Sequence, residues 1–325
     1  MAVVAIAALF GWFFTRKQPP ARAHGVNALA IVPPGPALVV SIDVARLRGV
    51  STGRALLGRS LAELGGAPCE SALATNVDQL ALAMPGDGAP DRAASDALAL
   101  IGTGHFSGTD VASCAEAHVR AAHGDPVRTP IGSFTSVRDR RKSGEVAARD
   151  GLLVVSEGLY LRELIDAADA PRRDGTPAEH ERDELHAELR RVVGRGAPII
   201  ATLALPPGWL GHTLADPSAD LSPLATIRSA AVRVDLADGI DLTGLLACDG
   251  NDACARLERF FGNARSDLAT LWPEAAPLLA HLTLTRSAAR LDFAAHLSSE
   301  DVGRLSSTPA SSPPTPATPH TSARP

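Results

Sequence analysis

The sequence contains few aromatic residues and almost no lysine. Phe, Trp and Tyr make up 4% of the 325 residues, and all basic residues are arginine except Lys17 and Lys142. The core must therefore be built from Ala, Leu, Val and Ile, which is feasible because 45% of the chain is hydrophobic. The net charge is −5 and no basic stripe is interleaved with aromatics, so we expect no binding to nucleic acid.

The sequence also lacks the spacings that are typical of metal sites. It has no H-E-x-x-H motif and no paired C-x-x-C motifs, which are the common patterns of zinc proteins. His180 and His186 are six residues apart, so they lie about 120° apart around a helix and cannot share a face. We interpret both as part of the exposed side of a helix, and we expect neither a metal nor a cofactor. The apolar face predicted for that helix consists of Leu185, Leu189, Val192 and Val193.

No apolar run reaches the roughly 18 residues of a membrane-spanning helix. The run from Met1 to Phe14 is shorter and suits the hydrophobic region of a signal peptide, with Ala21-Arg22-Ala23 as a cleavage site. No basic residue precedes the run. We therefore expect either that translation starts upstream or that the run is part of an uncleaved anchor. The alternative is a buried N-terminal helix.

The two termini give conflicting signals on which side of the membrane the body lies. Arg16 and Lys17 follow the apolar run, which favours a cytoplasmic body under the positive-inside rule. The even number of cysteines and the Ser/Thr/Pro-rich C-terminus favour the outside, and we expect an extracytoplasmic body. Residues 307–325 cannot bury enough apolar surface to fold and are predicted to be disordered.

The body reads as two similar halves that follow a segment, residues 1–24, which anchors or exports the chain. Strands, a long helix and hairpins follow in the same order in residues 25–175 and in residues 176–306. Hairpins are predicted to turn at Asp150-Gly151 and at Asp238-Gly239. This alternation predicts an α+β fold: two similar halves of antiparallel sheet, with helices packed on one face.

The stretch Leu29–Leu57, "LAIVPPGPALVVSIDVARLRGVSTGRALL", resembles the opening of a family of membrane-anchored bacterial proteins known only as a domain of unknown function. In that family an apolar segment precedes a Pro-x-x-Ala-Leu-Val-Val-x-x-Asp strand, and a Leu-Arg stretch with a serine then leads into a helix. The resemblance implies an extracytoplasmic location and a duplicated α+β body. It implies no activity and no functional residue.

Ser51 lies in Gly49-Val-Ser-Thr-Gly53, which matches the G-x-S-x-G pattern of hydrolase nucleophiles. A nucleophile elbow requires a strand that runs directly into the serine. The predicted strand ends near Asp43, well before this serine, so we interpret Ser51 or Thr52 as a helix N-cap. A periplasmic hydrolase that uses Ser51 is the alternative.

The stretch "IGTGHFSGTD" lies between a predicted strand and a predicted helix, where phosphate-binding loops occur. Its glycine spacing is one residue off the dinucleotide fingerprint, and no P-loop lysine follows. We interpret it as a structural turn.

The four cysteines allow three pairings, and their positions within the halves favour one of them. Cys69 and Cys114 both lie in the first half, and Cys248 and Cys254 flank a short turn in the second. We predict the disulfides Cys69–Cys114 and Cys248–Cys254. The alternatives are that Cys114 is a buried thiol, or that a reduced Cys254 at a helix N-terminus is acidic and reactive.

These patterns contain no coherent catalytic set. The sequence therefore predicts a non-enzymatic, membrane-tethered extracytoplasmic protein that acts as a binding or envelope-interaction module. Its expected partners are the membrane, through residues 1–24, and a protein of the envelope. The sequence identifies no small-molecule ligand.

Overall fold

The computed structural model describes most of the two predicted halves. The described residues are 27–33, 35–55, 57, 69, 73, 75–86, 98–170, 184–194, 196–205, 222–271 and 280–302. The predictions for the N-terminal apolar run, for His180 and for the Ser/Thr/Pro-rich tail concern residues outside these ranges. No helix among them is both long and apolar enough to span a bilayer.

Twelve strands of the described part form one antiparallel sheet. The strands are β1 (Pro36–Asp43), β2 (Val77–Pro85), β3 (Ala99–Gly104), β4 (Pro126–Ile131), β5 (Phe134–Asp139), β6 (Gly144–Arg149), β7 (Leu152–Glu157), β8 (Ile199–Ala204), β9 (Ile227–Asp235), β10 (Gly239–Cys248), β11 (Thr283–Ser287) and β12 (Arg290–Ser298). Their order across the sheet is β11-β12-β10-β9-β8-β1-β2-β3-β7-β6-β5-β4. The hairpins β6–β7 and β9–β10 turn where the sequence predicts.

Helices connect or flank these strands. They are α1 (Val44–Gly49), α2 (Gly108–Ala121), α3 (Gly158–Asp169), α4 (Glu184–Val193) and α5 (Asn251–Leu271), together with short 3-10 turns at Ala28–Ile31 and Ser222–Thr226. Ser107 caps α2, because its hydroxyl accepts from two N–H groups of the first turn.

The strand order repeats on either side of the pairing between β1 and β8, which we call the junction. Outward from β1 the order is β2, β3, β7 and β6, and outward from β8 it is β9, β10, β12 and β11. At the junction Val40 lies opposite Ala201 in an antiparallel register. A rotation of about 180° about this point therefore places each strand of one half at the position of its counterpart in the other half. Beyond β6 the first half adds β5 and β4, a hairpin that the sequence analysis does not predict.

Helices cover both faces of the first half, so the prediction of helices on one face is wrong there. Leu80 of β2 packs in one cluster with Val111 of α2, on a side we call face A. The next residue, Ala81, packs in a second cluster with Leu161 of α3, on face B. Both faces are apolar because successive residues of β2, β3 and β7 are apolar, a pattern that buries a strand from two sides.

In the second half the two long helices also lie on opposite faces. Leu257 of α5 packs against Leu291 of β12 on face A. Leu189 of α4 packs against Ala231 and Leu245 on face B. Helix α4 thereby reaches the strands beside the junction.

Candidate functional site

His186 on α4 ties the two halves together. Only 2% of His186 is exposed, so the prediction that it faces solvent is wrong. Its Nδ1 lies 2.8 Å from Thr202 Oγ1 of β8, and its Nε2 lies 2.9 Å from the carbonyl oxygen of Pro36 in β1. Because a carbonyl only accepts, Nε2 carries a hydrogen and donates to Pro36. One side chain thus joins the helix to both junction strands.

The buried face of α4 is rotated by one residue from the predicted one. Leu185 and Val192 are 45% and 46% exposed, whereas the buried residues include Leu189 and Arg190 besides the histidine. His186, Leu189 and Arg190 follow the same i, i+3, i+4 spacing as an apolar face. The sequence therefore contains a second set of residues at helical spacing on α4. We did not predict that set to be buried because His186 and Arg190 are polar.

A cleft of about 270 Å³ opens between α4, the 3-10 turn at Ala28 and the junction strands. We call it the junction cleft. Its polar lining comes from Asn27, Ser41, Asp43, Gln79 and Arg190. Strands β1 and β2 of the first half and helix α4 of the second contribute side chains to it, so the cleft exists only when the halves are joined.

Several polar groups of the junction cleft keep hydrogen-bonding capacity. Gln79 Oε1 accepts from the N–H of Ala28 at 3.4 Å, which leaves its amide nitrogen without a partner among the described residues. Ser41 Oγ donates to a backbone carbonyl at 3.3 Å, and its lone pairs can still accept. Asp43 uses one carboxylate oxygen to cap α1, accepting from the N–H of Arg46 at 2.9 Å.

Arg190 gives the junction cleft a fixed positive charge. The residue is 8% exposed and lines the cleft beside Ala187. A guanidinium does not lose its proton in proteins, so the charge is present at every physiological pH. The cleft thus combines a cation, a carboxylate, an amide and a hydroxyl, while its described lining contains no histidine or cysteine. This set can orient a small polar molecule.

Ser51 lies outside this cleft. It is exposed, and it is the first residue of a helical turn over residues 51–55. The N–H of Arg54 donates to the carbonyl of Val50 at 3.0 Å, so Val50 holds the N-cap position that we predicted for Ser51 or Thr52. Within the described residues, no histidine or carboxylate forms a hydrogen bond with Ser51. Thr52 is buried, with 5% exposure.

Ser51→Ala is expected to change the free energy of unfolding by no more than about 0.5 kcal/mol, because the side chain is exposed and caps no helix of the described part. Thermal denaturation of the variant measures this, with Thr52→Ala as the buried neighbour that should cost more. Labelling of Ser51 by a fluorophosphonate, abolished by Ser51→Ala, would instead establish a hydrolase.

The amides at the start of α2 are already occupied. The N–H of Gly108 donates to Asp150 Oδ1 at 2.9 Å. Ser107 Oγ accepts from Thr109 and Asp110 at 3.2 and 3.4 Å. A phosphate would have to displace these partners and face the carboxylate of Asp150. The geometry agrees with the interpretation of "IGTGHFSGTD" as a structural turn.

The cysteines pair as the sequence analysis predicts. Cys69 and Cys114 have Cα atoms 5.7 Å apart, and those of Cys248 and Cys254 are 5.5 Å apart, with both sulfur pairs at bonding distance. No cysteine is left free, so Cys114 is not a thiol and Cys254 is not a reactive one. Within the described residues, no group of three or more His, Cys, Asp or Glu side chains could hold a metal.

A second polar cluster has a structural role. Asp169, at the end of α3, accepts from Ser133 Oγ at 2.6 Å and from Arg149 Nη1 at 2.9 Å. The bond from Ser133 is the main cause that holds the pKa of Asp169 below its usual range. The guanidinium of Arg149 also lies over the ring of Phe134. These contacts fasten the turn of the β4–β5 hairpin to α3.

Comparison with known proteins assigns no family. No family model and no curated protein matches the sequence. Two solved structures, crystal forms I and III of TP0453, each have a TM-score of 0.46 to this chain, with 12% and 13% sequence identity. The similarity covers 86% and 87% of this chain and 96% and 99% of TP0453. At this level it bears on neither activity nor partners.

Proposed function

We propose that the protein is a non-enzymatic, membrane-tethered binding module outside the cytoplasm, and that it holds a small polar molecule in the junction cleft. The observation that carries the binding function is the cleft itself. Side chains from both halves meet there around a buried guanidinium, and their remaining hydrogen-bonding groups converge on a space larger than a few water molecules.

The disulfides support the location. Disulfides persist in oxidising compartments and are rare in the cytosol, and both pairs here close within one half each. The apolar run of residues 1–14 supports a tether, in which residues 1–24 would anchor the body to the membrane. An envelope protein is the expected macromolecular partner.

The strand order supports a duplication. Five strands of each half have the same order from the junction outward. In this proposal one ancestral α+β unit was copied and its two copies fused edge to edge, with the junction cleft forming at the seam. The binding function would then be a property of the fused protein.

The charges of the cleft indicate the class of ligand. Arg190 places a positive charge and Asp43 a negative charge in the lining of the cleft, so a molecule that carries charges of both signs matches it. A volume of about 270 Å³ accommodates a molecule of the size of an amino acid. The proposed ligand is therefore a small zwitterion, with Gln79 and Ser41 as neutral hydrogen-bonding groups.

Thermal denaturation of the full chain with each proteinogenic L-amino acid tests this proposal. A ligand that binds only the folded protein raises the melting temperature in a concentration-dependent way. At least one amino acid should do so, and Gln79→Leu should abolish the shift. Glu188→Ala, on the exposed side of α4, should leave it unchanged. The absence of any shift, or an equal shift in Gln79→Leu, would refute the proposed ligand class.

A further inference from the structure

One edge of the sheet is closed to further strands. In the β4–β5 hairpin, Ile131 pairs with Phe134 across a two-residue turn. Ile131, Thr129 and Val127 therefore direct their N–H groups towards β5. The residues between them face the open edge, and two of these are Pro126 and Pro130. Proline has no N–H that could bond to an added strand, and prolines in an edge strand are known to prevent pairing with another chain.

The opposite edge, β11, lacks this protection. Ser287 pairs with Arg290 across a two-residue turn, so Ser287, Thr285 and Thr283 are bonded to β12. Leu284 and Arg286 direct their N–H and C=O groups away from the sheet. Neither is proline, and among the described strands β11 pairs only with β12.

In the first half, the strand that corresponds to β11 pairs with a further strand. By its place in the strand order, β6 is the counterpart of β11, and β6 carries β5 as an antiparallel neighbour. In the first half that strand comes from the 22 residues between α2 and β6. In the second half only 11 residues connect α5 to β11, which is short for an equivalent hairpin.

We propose that β11 pairs with β11 of a second copy of this chain, to form a symmetric dimer with one continuous sheet. An antiparallel pairing centred on Thr285 places Leu284 opposite Arg286 of the partner subunit. All outward N–H and C=O groups of these two residues are then bonded, and no two arginines face each other. The other side of the strand presents only the hydroxyls of Thr283, Thr285 and Ser287, which suit Thr–Thr and Thr–Ser pairs.

The blocked edge at β4 determines the size of the assembly. If both edges accepted strands, chains would add indefinitely and form fibres. Because Pro126 and Pro130 close the far edge, pairing through β11 uses up the free edge of both chains. The assembly therefore stops at two, as expected for an interface in which the same surface is used by both subunits.

A cysteine at position 285 tests the proposed register. At the centre of the pairing the two Thr285 Cα atoms are a non-hydrogen-bonded pair, about 4.5 Å apart, which is within the range that a disulfide bridges. Thr285→Cys adds the only free thiol, since the native cysteines are all bonded. Under mild oxidation the full-length variant should form a covalent dimer. The matched control, Thr129→Cys on the exposed edge strand β4, should not.

Sedimentation of the unmodified full chain tests the dimer without an added thiol. A monomer–dimer equilibrium is expected, and Thr285→Lys should weaken the association by about tenfold or more, because it opposes two ammonium groups. The variant should keep its circular dichroism spectrum, because Thr285 is exposed. A chain that stays monomeric at all concentrations, a dimer unaffected by Thr285→Lys, or equal crosslinking of Thr129→Cys would overturn the proposal.

Discussion

Replacing both Cys69 and Cys114 with alanine is expected to lower the free energy of unfolding by about 4 kcal/mol. The bridge closes a loop with a sequence separation of 45, whereas Cys248–Cys254 closes one of 6. In the chain-entropy model a cross-link stabilises by restricting the unfolded chain, and the effect grows with the logarithm of the loop length. The same relation gives about 2 kcal/mol for the shorter bridge. Urea denaturation followed by circular dichroism measures both losses.

The double variant Cys248→Ala/Cys254→Ala is the matched control for this experiment. Equal losses for the two pairs would contradict the loop-length argument, since each variant removes one bridge and two sulfur atoms.

The same cysteines also test on which side of the membrane the body lies. In intact cells a maleimide should label none of them until a reductant is added, and labelling of unreduced protein would contradict an extracytoplasmic body.

Local chemistry made the turns and most strands predictable. Gly151 has a φ of +74° and Gly239 one of +136°, backbone conformations that glycine adopts readily and that place both hairpin turns where the Asp-Gly pairs stand. The hairpin β4–β5 was not predicted, because two prolines within six residues argue against a strand. They are tolerated because β4 lies at the sheet edge and its prolines face outward, a position that only the complete sheet defines.

The junction could not be predicted from local patterns. Its contacts join residues far apart in the chain, such as Ser41 with the carbonyl of Ile200, separated by 159 positions. Runs of apolar, β-branched residues indicate that β1 and β8 are strands, but they do not show that the two strands pair with each other. The junction cleft depends on this pairing, so its lining residues carry no common signal in the sequence.

Helix α4 shows a different limit of sequence reasoning. Its leucines and valines fit an apolar face, but the sheet beneath it offers the hydroxyl of Thr202 and the carbonyl of Pro36. Buried groups of this kind need hydrogen-bonding partners. A histidine satisfies both at once, so the helix turns its histidine inward and leaves Leu185 and Val192 partly in solvent.

His186→Ala is therefore expected to lower the free energy of unfolding by about 3 kcal/mol. The substitution removes two buried hydrogen bonds and opens a cavity at the junction. The Pro36 carbonyl loses the imidazole as its donor, and the Thr202 hydroxyl keeps only its bond to the carbonyl of Val39 at 3.4 Å. For a chain of this size the melting temperature should fall by about 4–6 °C. Differential scanning calorimetry measures the change.

Glu188→Ala is the control for the helix itself, because Glu188 lies two residues away on the exposed side of α4. That variant should remain within about 0.5 kcal/mol of the native protein. His186→Gln, whose amide can still donate to Pro36, should fall between the two. If His186→Ala were no less stable than Glu188→Ala, the hydrogen bonds of His186 would not be what holds α4 on the junction strands. They would then not explain why His186 is buried in place of Leu185.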